Sequence, residues 1–119
     1  MRALTLCLIL LFAVPVAAQA RPTATASKSC NISGKERSFG VTYVTSLSAK
    51  GTSCGKAKGV VKAYHSCRHE KGKAGKCSKK VKGYSCSEGK RSSSPIQYDA
   101  KVTCTNGSKT VKHSYTQDT

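Results

Sequence analysis

Three histidines, six spaced cysteines and a dense lysine run are the side chains here that could do chemistry. His65, His69 and His113 are the residue type that titrates nearest neutral pH. Two imidazoles with a lysine could support ribonuclease-type acid–base cleavage, provided that His65 and His113 converge. Read for packing, His113 is a sheet residue and the other two are surface groups. His69-Glu70 lacks the second histidine of an H-E-x-x-H zinc helix. The chain holds no G-x-S-x-G elbow and no phosphate-binding glycine loop. No catalytic residue is assigned, and neither a metal nor a cofactor is expected.

The lysine run is the stronger signal. Lys62, Arg68, Lys71, Lys73, Lys76, Lys79, Lys80 and Lys82 are opposed within their stretch only by Glu70. The whole chain has 21 Lys+Arg against 5 Asp+Glu, a net charge of +16. Such a concentration attracts polyanions and speeds encounter. Anionic cell-wall polymers, lipid headgroups and extracellular nucleic acid are the expected partners. Lysine predominates over arginine, and lysine acts as a point charge rather than a bidentate reader of phosphate. Salt-sensitive attraction of low specificity is therefore expected, against the plainer reading of a solubilising surface.

Cys30, Cys54, Cys67, Cys77, Cys86 and Cys104 form an even set on a small chain, the pattern of a disulfide framework. Structural zinc prefers close pairs such as C-x2-C, and none occurs. Bridges are needed because residues 21–119 hold few branched apolar residues: Ile32, Phe39, Val41, Val44, Leu47, Val60, Val61, Val81, Ile96, Val102 and Val111. So meagre a set with so much like charge normally marks disorder. Three bridges at about 2–4 kcal/mol each would offset it. Cys54 and Cys67 would lie roughly 20 Å apart along one helix, too far to bond. Cys67–Cys77 is the favoured local bridge. The remaining four would tie the helix start and the N-terminal segment to the strands, in an order left open.

Residues 1–20, MRALTLCLILLFAVPVAAQA, combine Arg2, an apolar run and small residues before Ala18 or Ala20. These features predict a secretory signal peptide, and the run is short for a membrane span. Cys7 would leave with it. Residues 21–29 read as a disordered leader, and 30–119 as a single domain.

The elements that must position these groups follow from periodicity. Phe39–Leu47 is β-branched and aromatic and predicts a strand, with Val41, Tyr43 and Thr45 on one face and Val44 on the other. Ser53 offers an N-cap. Cys54, Ala57, Val60 or Val61, Tyr64 and Cys67 then recur at helical spacing, with Lys56, Lys58 and Lys62 facing solvent. Residues 68–80 read as a basic loop, 81–86 as a strand and 87–95 as a second loop. Tyr98–Cys104 and Val111–Tyr115 alternate around Asn106-Gly107, a strong hairpin signal. A turn on those two residues would set Val102 opposite Val111, Ala100 opposite His113 and Tyr98 opposite Tyr115. Tyr43, Tyr64, Tyr84, Tyr98 and Tyr115 are read as packing residues. Asn31-Ile32-Ser33 and Asn106-Gly107-Ser108 match the glycosylation sequon by chance. The expected fold is α+β: one helix on a small, mostly antiparallel β-α-β-β-β sheet, stapled by disulfides.

The stretches TYVTSLSAKGTSC, VVKAYHSC, VKGYSC, VTCTNGSK and HSYTQ resemble a group of small secreted basic proteins of actinobacteria with paired cysteines. The resemblance covers most of residues 30–119. It supports the fold and carries no activity. The expected function is that of a secreted, monomeric, non-enzymatic protein that binds anionic polymers through its lysine-rich loop. The alternatives are a small histidine-dependent ribonuclease and an inhibitor of secreted enzymes that offers loop 68–76 or 87–95.

Overall fold

The computed structural model describes residues 25–119, with Pro15 and Val16 besides. The signal-peptide reading and residues 21–24 of the leader lie outside the described residues. In order come β1 (Lys28–Ser29), β2 (Tyr43–Lys50), α1 (Cys54–His69), β3 (Ser85–Glu88), β4 (Ser92–Ser93), β5 (Gln97–Asn106) and β6 (Lys109–Asp118). The strands form one antiparallel sheet ordered β1-β2-β6-β5-β3, with β4 also on β5. One helix on a disulfide-stapled antiparallel sheet is the α+β fold expected.

Helix α1 begins where Ser53 Oγ accepts from the Lys56 amide at 3.2 Å, satisfying one of the free N–H groups of the first turn. Its buried face carries Ala57, Val60, Val61, Tyr64, His65, Cys67 and Arg68. This face lies against the inner side of the sheet. There β2 contributes Val44, Leu47 and Ala49, β5 contributes Tyr98, Ala100, Val102 and Cys104, and β6 contributes Val111, His113, Tyr115 and Gln117. The core is therefore apolar at the start of the helix and polar at its end.

Several local expectations are corrected. Strand β2 starts at Tyr43, because Phe39 and Val41 are buried in the irregular segment before it. A register shift between Val44 and Ser46 rotates the chain, as a bulge does. Val44 and Leu47 consequently share the buried face, while Tyr43 and Thr45 are exposed. Lys28 and Ser29, placed in the leader, pair with β2. Of the expected strand 81–86, residues 81–84 form a tight turn, Val81 bridging Tyr84, and the regular strand runs from Ser85 to Glu88.

The β5–β6 hairpin turns one residue later than expected. Asn106 faces Lys109, so Gly107 and Ser108 form the turn. Only Gly107 has a positive φ, +57°, which is the type II′ pattern rather than the type I′ turn that Asn-Gly would make. Each partner therefore shifts by two: Val102 faces His113, Ala100 faces Tyr115, and Tyr98 faces Gln117. A two-residue shift keeps every side chain on its face. The apolar pattern survives, but the polar neighbours change.

The bridges are Cys30–Cys54, Cys67–Cys77 and Cys86–Cys104. The first ties the N-terminal segment to the helix start. The third links the adjacent strands β3 and β5. The second closes the basic loop. Three disulfides fit an oxidising, extracellular setting. No described helix is long and apolar enough to cross a membrane.

Candidate functional site

The site is built on the end of α1 and the loop that follows it. Arg68 lies four residues after Tyr64, on the same helical face, and its side chain is completely buried. Its guanidinium reaches five polar atoms. Nε donates to His65 Nδ1 at 3.1 Å, and Nη1 donates to the Lys73 carbonyl and to Tyr98 Oη at 2.7 Å. Nη2 donates to Gln117 Oε1 at 2.8 Å and lies 2.7 Å from His69 Nε2. The cation also stacks over the Tyr115 ring, 4.8 Å from its centroid. Tyr98 and Gln117 stand opposite each other on β5 and β6, so the observed hairpin register brings both within reach of one guanidinium.

A second arginine works from the other side. Arg91 pairs with Glu88 through Nε, and its two Nη atoms donate to the carbonyls of Ala74 and Gly75 at 2.7 and 2.9 Å. Tyr98 Oη donates to the Lys73 carbonyl at 2.6 Å. Three consecutive loop carbonyls, on Lys73, Ala74 and Gly75, are thus held inward by two arginines and a tyrosine. Gly75 is buried, and any side chain there would collide with the Arg68 carbonyl. With Cys67–Cys77 closing its base, the loop is fixed although it has no regular secondary structure.

Its lysines face the other way. Lys71, Lys73, Lys76, Lys79 and Lys80 are exposed, as are Lys62 on the helix and Lys82 beyond the loop. Lys79 pairs with Glu70 at 3.0 Å, both well exposed. Arg68 does not belong with them: it is fully buried, so it cannot touch a surface polyanion and acts through the loop backbone instead. Lys62 and Lys82 line an open concavity of about 840 Å³ along the helix, with Phe39, Ser66, His69 and Glu70.

The histidines do converge, but inside. His65 and His113 are 0% and 2% exposed, and their Nε2 atoms lie 3.0 Å apart. Arg68 can only donate, so His65 Nδ1 is the acceptor and its proton sits on Nε2. That proton is donated to His113 Nε2, which leaves the His113 proton on Nδ1. Nδ1 is buried without a hydrogen-bond partner. Burial first, then the charges of His113 and Arg68, push His65 down to about 2. Burial pushes His113 down to about 4, with Glu88 opposing and Arg68 adding to the shift. Both rings are neutral at neutral pH and spend their nitrogens on each other or enclosed, so no substrate reaches them in this geometry.

Glu88 is the anionic centre of the cluster. Tyr64 Oη donates to its Oε2, as does Tyr115 Oη at 2.9 Å. Burial alone would raise this carboxyl. Hydrogen bonds from Arg91, Tyr64 and Tyr115 outweigh it and hold the group below the usual range. Burial and the Glu88 hydrogen bond push both tyrosines up.

Sequence reasoning found the lysines and the bridge, and missed the clamp. The position of Arg68 on the helical stripe was a legible signal. Arg91, three residues after Glu88 in a polar loop, gave none, because its targets are backbone carbonyls. Among the described residues no cluster of three or more His, Cys, Asp or Glu could hold a metal ion. Comparison with protein-family models, with curated proteins and with solved structures finds no match for the chain, so what the site does rests on its own geometry.

Proposed function

We propose that this is an exported protein that binds anionic polymers of the envelope or extracellular space through the lysines of loop 71–80. The observation that carries the reading is the clamp: the Lys73, Ala74 and Gly75 carbonyls are drawn inward by Arg68, Tyr98 and Arg91, while the loop lysines are exposed. A loop already ordered loses less conformational entropy when a partner settles on it. The apolar run of residues 1–20 supports export, and the three bridges fit the same compartment. Binding of this kind is electrostatic and needs no catalytic step.

The test is retention on an immobilised anionic polysaccharide across a salt gradient. Retention should fall steeply with salt, as charge neutralisation predicts. Replacing Lys71, Lys73, Lys76, Lys79 and Lys80 with Gln should release the protein at much lower salt. An unchanged elution profile would remove the loop from the proposal.

A further inference from the structure

Three lysines distant in sequence meet around a second, smaller concavity. Lys56 comes from the first turns of α1, Lys82 from the turn after the basic loop, and Lys109 from the start of β6. Together with Thr52, Tyr84 and Asn106 they line a space of about 430 Å³. All three lysines are exposed. No carboxylate lines the space, and none pairs with these lysines among the described residues. Three like charges around one hollow make its potential positive, and its lining residues include no carboxylate to neutralise it.

Lys82 adds a second feature at the same place. Val81 and Tyr84 exchange both backbone hydrogen bonds, 2.9 and 2.8 Å, around a two-residue turn. Lys82 and Gly83 both have positive φ, 48° and 81°, the type I′ geometry for which Asn-Gly is preferred. Lys82 is the sole non-glycine residue in the left-handed region among the described residues, and a long side chain there is unfavourable. The stem of Lys82 then runs over the bare helix surface at Gly59, where an added Cβ would lie 3.6 Å from Lys82 Cε. Backbone strain at Lys82, in a side chain that lines the hollow, is the kind of outlier that accompanies ligand positions.

We infer that Lys56, Lys82 and Lys109 form a discrete site for a phosphate ester or short oligophosphate. A multiply charged group of that size matches three point-like ammonium donors better than a single carboxylate does. Thr52 and Asn106 can supply neutral hydrogen bonds at the rim. The inference goes beyond loop-mediated polymer binding, and the two can fail separately.

The experiment titrates the protein at low salt with inorganic tripolyphosphate, and separately with vesicles carrying phosphatidic acid. Saturable binding of tripolyphosphate supports a soluble phosphate ligand, and binding to the vesicles alone supports a lipid phosphate. Binding to neither overturns the site. Lys82→Asn removes the charge and suits the left-handed backbone. It should weaken binding by about tenfold, the effect of losing one charge-assisted hydrogen bond, while melting no lower than the parent. Lys56→Gln and Lys109→Gln should each weaken it several-fold. Lys71→Gln, Lys73→Gln and Lys76→Gln combined should leave it unchanged. Unaltered affinity in Lys82→Asn, or an equal loss in the loop variant, would overturn the assignment.

Discussion

Arg68 and Arg91 lie beneath the loop, and Lys71, Lys73 and Lys76 stand above it. The same sign of charge is used in opposite ways on the two sides of one short loop. The guanidiniums beneath, Arg68 buried and Arg91 half-buried, are planar and present several donors in fixed directions, so each can hold several acceptors at once. Arg68 joins a histidine, a tyrosine, a glutamine and a loop carbonyl. Among the described residues the lysine ammoniums outside make one ion pair, Lys79 with Glu70, and exposed pairs of that kind contribute little. The inner region therefore sets the shape of the loop and the outer region its charge. Substitutions beneath should be felt as stability, and substitutions above as binding.

The largest expected effect comes from removing Arg68. Arg68→Leu leaves His65, Gln117, Tyr98 and a loop carbonyl short of partners, and should cost about 3–5 kcal/mol in urea unfolding. A cost below about 1 kcal/mol would show that the loop is held without the clamp.

Acid should act on the inner region next. His65 and His113 are held below their ordinary value of 6.5, at about 2 and about 4. The unfolded chain therefore takes up protons before the folded one. The histidine contribution to stability is complete above about pH 6.5 and is lost as pH falls toward the folded values. For His113 alone the loss by pH 4 is about 3 kcal/mol. The Glu88 carboxyl is depressed too, so its contribution fades in the same direction at lower pH. Urea midpoints measured from pH 7 to pH 4 should fall monotonically, and a flat profile would mean that the histidine pair is not enclosed in solution.

Removing the Cys67–Cys77 bridge tests both regions together. The cysteines are separated by 10 positions, so replacing both with Ala should cost about 2–3 kcal/mol. If the arginines alone keep the loop in shape, polymer retention survives that loss. If retention drops with stability, bridge and clamp act as one unit. The smallest effect belongs to the surface: Lys71→Gln, Lys73→Gln and Lys76→Gln combined should change unfolding by less than about 0.5 kcal/mol while making retention less sensitive to salt.

Much of the architecture was legible in residue order. The helix from Cys54, its Ser53 cap, the C-terminal hairpin and the loop-closing bridge all follow from spacing. The misses share a cause. The hairpin register slipped by two because Asn106-Gly107 and Gly107-Ser108 are both acceptable turns, and both keep the apolar residues on one face. Local pattern cannot separate them. The choice is made where Tyr98 and Gln117 meet Arg68. The reading of His65 as a surface group follows from a stripe through apolar residues alone, although Val61 and His65 are also four apart.

What the sequence determined by itself is the set of short-range facts: charge, cysteine framework, helical and strand periods, and a loop rich in lysine. These depend on neighbours within a few residues, and such interactions are written in spacing. Tertiary structure alone decided which cations are buried, which histidines touch and which lysines share a hollow. Those outcomes depend on side chains from separate elements arriving at one place, and no local interaction encodes that arrival.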